Sequence, residues 1–269
     1  GEVNPIGVIG RVYNATASGA LGLHYYYPNI YGSEEAQRNF AKWGGQFRQR
    51  RPVVEISVYY PETYIRLKGQ DFLRLVQPLR DRFDFNYLSD AQIADGGLKR
   101  VRALVLMQGN VAEASTWRAI TDWVRGGGLL LVSDGVGRLR TVEGDERFQQ
   151  ALMGPGANHG KGRVLTSPAA PESAEYRVFL ARSLTSAREL SADSRRMVAA
   201  DGREDGLFAT LCVSPARKGA AARRELLWLN YTAKAAPASG ARKVVLPAYS
   251  IVSEPIFQPS FRSGKRAPR

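Results

Sequence analysis

Cysteine and histidine are scarce in this sequence, with one cysteine and two histidines among 269 residues. The single cysteine, Cys212, excludes a disulfide within the chain and a metal site made of several thiolates. His24 and His159 are too few for a histidine-rich metal centre. No apolar run approaches the roughly 18 residues that a membrane-spanning helix needs. We therefore expect no metal, no cofactor and no membrane partner.

Acidic side chains are outnumbered, and 25 Asp and Glu against 38 Lys and Arg give a net charge of +13. Such an excess is one mark of nucleic-acid binding. Residues 1–150 hold 19 basic and 16 acidic side chains, whereas residues 151–269 hold 19 and 9. Much of the excess falls in 217–224 and 262–269, which lack the interleaved aromatic residues that stack on bases. We expect solvated loops, a disordered tail and no nucleic-acid partner, with a polyanion-binding surface as the alternative.

The first fifty residues carry the pattern of a helix–strand–helix unit. Apolar side chains recur at helical spacing over 6–16, after Asn4 and Pro5, which are a typical N-cap and first helical residue. The apolar and aromatic run 21–27 predicts a short buried strand. Ser33 is the predicted cap of the second helix. The hydrophobic content of the whole chain, 44%, is that of a globular protein.

From residue 53 onward, short β-type runs alternate with helical patterns, which is typical of βαβ units in a doubly wound parallel sheet. Pro78 is expected to kink the helix over 72–83. Asn110 and Glu113 have the spacing of a capping box at the start of the next long helix. From residue 207 three β runs predict a small antiparallel sheet. The predicted strands of these two regions cover 53–59, 85–88, 103–107, 129–132, 163–165, 207–213, 225–231 and 244–251.

The turn Ser133-Asp134-Gly135 follows the predicted fourth strand, at the sheet edge where ligands of open parallel sheets bind. A serine on a tight strand-to-helix turn can act as a nucleophile, but it needs a base. His24 belongs to the N-terminal unit, and His159 belongs to a glycine-rich turn with no evident acidic partner. We therefore expect a structural turn at Ser133, with catalysis by Ser133 as the alternative. Cys212, in an apolar β run, is expected to be a buried structural thiol.

Three consecutive tyrosines, Tyr25, Tyr26 and Tyr27, end the predicted first strand. They are either core aromatic residues or a stacking platform for a sugar, and the sequence leaves both interpretations open. Glycoside hydrolysis also needs two carboxyl groups that face each other. Glu2 and Glu62 are the candidates, and nothing in the sequence brings them together. No catalytic residue is assigned.

Several motifs resemble the second domain of the family-42 β-galactosidases. They are VEISVYY at 54–60, FDFNYLSD at 83–90, ALVL at 103–106 and WVRGGGLL at 123–130. GKGRV at 160–164 resembles the strand that follows, and LWLNYT at 227–232 resembles the family's small C-terminal β domain. GEVNP at 1–5 and GLHYY at 22–26 resemble the end of its (β/α)₈ barrel. In that family the second domain has a class I glutamine-amidotransferase-like, flavodoxin-type fold and mediates trimerisation.

The resemblance implies four segments: a remnant of the barrel end at 1–51, an amidotransferase-like oligomerisation domain at 52–200, a small β domain at 201–258 and a disordered tail at 259–269. It places the family's nucleophilic glutamate just before Gly1, so that Glu2 does not replace it, and the acid/base glutamate is missing. The cysteine of the amidotransferase Cys-x-Gly elbow is replaced in Ser133-Asp134-Gly135.

The expected function is therefore that of a non-catalytic C-terminal portion of a β-galactosidase-like glycoside hydrolase. It would support a homo-oligomer, a trimer by analogy, and would complete the site for a β-galactoside-type carbohydrate in the parent enzyme, with Tyr26 and Tyr27 at its rim. The alternative is a stand-alone binding or interaction module on an inactive amidotransferase-like fold, in which residues 1–50 form a regular helical cap. A severed barrel piece would expose apolar helix faces, whereas a native cap would not.

Overall fold

The computed structural model describes residues 6–20, 33–47, 50–69, 72–198, 206–214, 222–239 and 243–256. The α-helices are α1 Gly7–Ala17, α2 Glu34–Trp43, α3 Glu62–Lys68, α4 Phe72–Val76, α5 Asp90–Ala94, α6 Ala114–Arg125, α7 Arg147–Met153, α8 Ala174–Thr185 and α9 Ala192–Met197. The strands are β1 Arg51–Pro52, β2 Ile56–Tyr60, β3 Asn86–Ser89, β4 Ala103–Leu106, β5 Val111–Ala112, β6 Leu129–Ser133, β7 Arg140–Thr141, β8 Arg163–Ser167, β9 Leu207–Ser214, β10 Arg223–Asn230, β11 Ala236–Ser239, β12 Lys243–Leu246 and β13 Ser250–Ile256.

Five parallel strands form the central sheet in the order β3-β2-β4-β6-β8. Successive side chains of a strand point to opposite faces, so a strand covered on both sides is apolar throughout. Leu129 and Leu131 pack with α4 and α8 on one face, and Leu130 and Val132 pack with α5, α6 and α7 on the other. The α/β class and the parallel sheet predicted from the alternating pattern are confirmed.

Two predictions about helix boundaries have different outcomes in the structure. Proline interrupts the helix over 72–83 as expected: α4 ends at Val76 and a 3₁₀ turn, Gln77–Asp81, continues with Pro78 in its first turn. The predicted capping box at Asn110 and Glu113 is wrong. Glu113 makes no side-chain cap, and the Asn110 amide donates to the carbonyl of Arg138 at 3.0 Å. Residues 111–112 instead pair with β7, and that tertiary contact outweighs the local capping signal.

A four-stranded antiparallel sheet, in the order β1-β9-β10-β13, follows the parallel one along the chain. The small antiparallel sheet predicted from residue 207 onward is present, but the single strand predicted over 244–251 is wrong. A turn separates β12 from β13, and Tyr249 takes a positive φ of 44° within it. β12 pairs with β11 in a hairpin, whereas β13 pairs with β10. At the edge, Arg51 pairs with Val213, so the chain before β2 joins this sheet.

Helix α1 covers one face of the antiparallel sheet. Four of the five residues in its predicted stripe, Ile9, Val12, Tyr13 and Thr16, are 0–4% exposed, and Ile6 is partly buried. Ile9 and Val12 pack in one cluster with Leu227 and Leu229 of β10. The predicted N-cap of α2 is confirmed, since the Ser33 side chain accepts a hydrogen bond from the Ala36 amide. The apolar stripe of α1 is therefore covered within the chain itself.

A buried ion pair fixes the chain where it leaves these helices. The side chain of Arg50 is 1% exposed and donates through Nε to Glu225 Oε2 at 3.0 Å. Its other nitrogens donate to the carbonyl of Gln46 and to the hydroxyl of Ser253, which also donates to Glu225. Because both charges are paired and hydrogen-bonded, this network fixes residue 50 against β10 and β13.

Candidate functional site

The serine of the turn after β6 is not placed to act as a nucleophile. Ser133 is the last residue of the strand, is 2% exposed and donates through Oγ to the carbonyl of Met107 at 2.7 Å. A Cβ placed on Gly135 would lie 2.8 Å from the ring of Pro171, so this position of the turn requires glycine. Asp134 is exposed beside it. A nucleophile needs an accessible oxygen beside a base, and this hydroxyl faces a backbone carbonyl instead.

Of the candidate bases and alternative nucleophiles, His159 and Cys212 lie within the described residues. His159 is partly buried, and its Nε2 lies 2.8 Å from the carbonyl of Leu152. Cys212 is fully buried, and burial raises the pKa of its thiol to about 12, so it remains protonated at neutral pH. His24 and Glu2 lie outside the described residues.

At the end of β3 a carboxylate joins two helices. Asp90 accepts hydrogen bonds from Tyr59 Oη at 2.5 Å and from the Thr63 hydroxyl at 2.8 Å and amide at 3.1 Å. Burial, followed by the neighbouring charge of Asp90, raises the pKa of Tyr59 well above its ordinary value. Glu62 accepts from the amide of Ala91 at 3.3 Å. Both carboxylates therefore hold α3 against α5.

The predicted sugar platform, Tyr26 and Tyr27, lies outside the described residues, as does Tyr25. It stays a prediction. Among the residues described, no group of three or more His, Cys, Asp and Glu side chains is arranged to hold a metal ion. No helix within the same residues has the length and apolar character to cross a bilayer.

A cleft of about 1120 Å³ lies between α1, the 3₁₀ turn Gln77–Asp81, β3 and the antiparallel sheet. Three distant chain segments meet there, contributing residues 7–18, 77–87 and 206–231. We call it the α1 cleft. Pockets that bind small molecules commonly measure about 300–1,000 Å³, and their place is often a junction between structural units. Size and position therefore make it the candidate binding site.

The floor of the α1 cleft is polar. Arg80 donates through Nη1 to Asp84 Oδ1 at 3.0 Å, and its guanidinium lies 3.9 Å from the ring centre of Phe85. The Asp84 side chain is 14% exposed, and burial raises its pKa to about 6 against the attraction of Arg80. The Thr210 hydroxyl also acts on this carboxyl, and it lies 3.1 Å from Tyr13 Oη.

Aromatic rings form the walls of the cleft, and small side chains on α1 leave space beside them. Tyr13 lies with its ring centre 6.3 Å from that of Phe208, and both rings line the cleft with Tyr87 and Tyr231. The cleft-lining residues of α1 are mostly small or short: Gly7, Gly10, Asn14 and Ala17. The four charged residues in the lining are Arg11, Arg80, Asp81 and Asp84, so its formal charge is balanced.

Sequence comparison finds no relative: no family model matches the chain, and no curated protein does. Comparison with solved structures does. The fold of the chain resembles that of a GH42 β-galactosidase from Rahnella sp. R3 at TM-score 0.61 and 12% identity, over 94% of this chain and 52% of that one. It also resembles a catalytic mutant of a GH42 β-galactosidase from G. stearothermophilus at TM-score 0.56 and 12% identity, over 88% and 46%.

A GH42 exo-carrageenase from Bacteroides ovatus matches at TM-score 0.54 and 13% identity, over 94% of this chain and 39% of that one. The chain thus spans about half the length of these structures or less. At such low identity the likeness shows the fold alone. It agrees with the resemblance seen in the sequence motifs and leaves activity and assembly to be tested.

Sequence reasoning missed the α1 cleft. Its lining comes from three segments that are far apart in the chain, 7–18, 77–87 and 206–231, so no local pattern joins them. The one local signal is the spacing of Gly7 and Gly10 on the predicted helix. Glycine is unfavourable inside a helix, so two on one face mark a surface where space is kept.

Proposed function

We propose that this chain is the non-catalytic C-terminal portion of a β-galactosidase-like glycoside hydrolase and that it serves assembly. One observation carries the proposal: Ser133, in the one sequence feature with the form of a catalytic elbow, is buried and its hydroxyl donates to the carbonyl of Met107. The β3-β2-β4-β6-β8 strand order supports a flavodoxin-type, amidotransferase-like assignment for 52–200. Within the described residues the elbow serine therefore has a structural hydrogen bond in place of a catalytic partner.

The assembly that we propose is a homo-oligomer, a trimer by analogy, formed through the 52–200 segment. Leu67 of α3 and Leu73 of α4 are 59% and 53% exposed, unusual for leucine in a segment whose core is otherwise closed. Exposed large apolar side chains are typical of contact surfaces when they occur together. We take these two leucines as the contact residues to be changed first. The parent's substrate would be a β-galactoside-type carbohydrate.

Sedimentation velocity on the purified chain at tens of micromolar tests the assembly. We expect a species of three times the 29.6 kDa chain mass. The double variant Leu67→Glu and Leu73→Glu is expected to sediment as a monomer. Val245→Glu, at an exposed valine of β12, is the matched control and should leave the trimer intact. A wild-type monomer across the concentration range would refute the proposal.

A second candidate is a stand-alone binding module, and the packing of α1 favours it. The apolar stripe of α1 lies on the antiparallel sheet of the same chain, with Val12 fully buried, as expected of a native cap. A hydrophobic dye such as 8-anilinonaphthalene-1-sulfonate separates the two candidates. Strong dye binding by the folded chain supports a severed barrel piece, and weak binding supports a native cap.

A further inference from the structure

The assembly proposed above makes no use of the α1 cleft, which at about 1120 Å³ is large enough to hold a small molecule. We propose that the α1 cleft is a binding site for a neutral saccharide, with Arg80 as the hydrogen-bond donor at its floor and aromatic rings as its walls. Leu67 and Leu73, the contact residues of the trimer proposal, are not among the residues that line the cleft, so the two proposals can be tested separately.

Arg80 is held in position before any ligand arrives. One of its nitrogens donates to Asp84, and its guanidinium lies over Phe85 at 3.9 Å and within 5.8 Å of the ring centre of Tyr87. A guanidinium has five N–H donors. Within the described part of the chain, Arg80 makes no other hydrogen bond, and 37% of its side chain is exposed. Fixed donors that need no reordering are what a weak, hydroxyl-rich ligand requires.

The charges of the cleft lining favour a neutral ligand over an anionic one. The whole chain carries +13, but the cleft lining holds two basic residues, Arg11 and Arg80, and two acidic residues, Asp81 and Asp84. A phosphate or sulfate would need an excess of basic groups that this lining does not provide, and the buried carboxyl at its floor would repel it. Hydroxyl groups, in contrast, accept from guanidinium and donate to carboxylate or carbonyl oxygens at no cost in net charge.

The walls supply the other half of the chemistry. A pyranose ring offers hydroxyl groups at its rim and C–H groups on its faces, so it matches a cleft that combines a few polar groups with aromatic sides. Tyr87, Phe208 and Tyr231 are the partly exposed rings of the lining, and Tyr231 approaches α1 where Gly10 lacks a side chain. A volume near 1120 Å³ accommodates a disaccharide or a short oligosaccharide.

Asn14 gives a clean way to block the cleft. It is exposed on α1 and lines the cleft, so Asn14→Trp adds an indole to the opening without touching the buried stripe of the helix. Gln37→Trp is the matched control: the residue is exposed on α2 and is not part of the cleft lining. Both variants exchange a polar helix residue for the same side chain, so effects of the tryptophan itself cancel.

The test is saturation-transfer NMR followed by calorimetry with lactose, cellobiose and maltose on wild type and both variants. We expect at least one disaccharide to bind wild type with a Kd of about 1 mM or tighter, and Asn14→Trp to weaken it by about tenfold or more. Gln37→Trp should bind as wild type does. No binding at tens of millimolar, equal binding by both variants, or binding of inorganic phosphate in place of the sugars would each overturn the proposal. Sedimentation of the same samples reports the trimer separately, so either proposal can fail alone.

Discussion

The carboxyl of Asp84 makes a quantitative test of the electrostatics at the floor of the α1 cleft. Its pKa rises from 3.8 to about 6 because burial disfavours the charged form more than Arg80 stabilises it. The folded state therefore binds this proton more tightly than the unfolded chain does. As the pH rises through the window from about 4 to 6, the folded state loses stability at this group. The difference in pKa corresponds to about 3 kcal/mol at neutral pH.

Asp84→Asn replaces the carboxyl with a neutral group of the same shape. The difference in the free energy of unfolding, variant minus wild type, should therefore be more favourable to the variant at pH 7 than at pH 4, by about 2 kcal/mol, because the carboxyl of the unfolded chain is already more than half ionised at pH 4. Urea denaturation at a series of pH values, followed by circular dichroism, measures it, and the titration of all other groups cancels in the difference. Arg80, which is 37% exposed, stays hydrated when it loses its partner.

Glu146→Gln is the control, because Glu146 pairs with Arg138 at the same distance of 3.0 Å but at the exposed surface. Its difference from wild type should stay within about 0.5 kcal/mol at every pH. A difference for Asp84→Asn that does not change with pH would show that burial does not perturb this carboxyl. A variant that is relatively weaker at pH 7 than at pH 4 would show that the attraction of Arg80 outweighs burial.

Three further substitutions test other parts of the structure. Glu225→Gln leaves the buried Arg50 without its charged partner and should lower the free energy of unfolding by about 3–5 kcal/mol in urea titrations. Ser133→Ala removes a buried hydrogen bond, should cost about 1–3 kcal/mol, and should leave any esterase or amidase activity unchanged. Gly162→Ala would drive a methyl group into the backbone carbonyl of Val124 and should cost more than about 3 kcal/mol in the same urea titrations. Gly45→Ala, with nothing within 4 Å of the added carbon, should be nearly neutral in that assay.

The sequence pattern correctly predicted the features that depend on interactions between neighbouring residues. The N-cap at Ser33 and the interruption at Pro78 depend on atoms within a few residues, so the sequence pattern was sufficient for both. The unbroken apolar run within β6 predicted a strand that is covered on both faces, for a similar reason.

Long-range contacts decided the elements that the pattern missed. Residues 111–112 form a ladder with β7, although Asn110 and Glu113 have capping-box spacing, because pairing with a distant strand satisfies the same backbone groups. The pairing of Arg51 with Val213 joins positions that no local period connects. The floor and walls of the α1 cleft have the same origin, so the candidate site was the least predictable part of the molecule.

The packing of α1 on the antiparallel sheet has a consequence for the order in which the protein forms. Every strand of the parallel sheet lies between residues 56 and 167, so that sheet can close while later residues are still being synthesised. Helix α1 finds only part of its partners nearby: α2 contributes Ala36 to the same cluster, whereas Leu227 and Ile251, which pack with Val8 and Ile9, come more than two hundred residues later. Until then the face of α1 that packs on the antiparallel sheet lacks that cover. The earliest of the described helices to be made thus completes its packing only after every strand of the parallel sheet has been made.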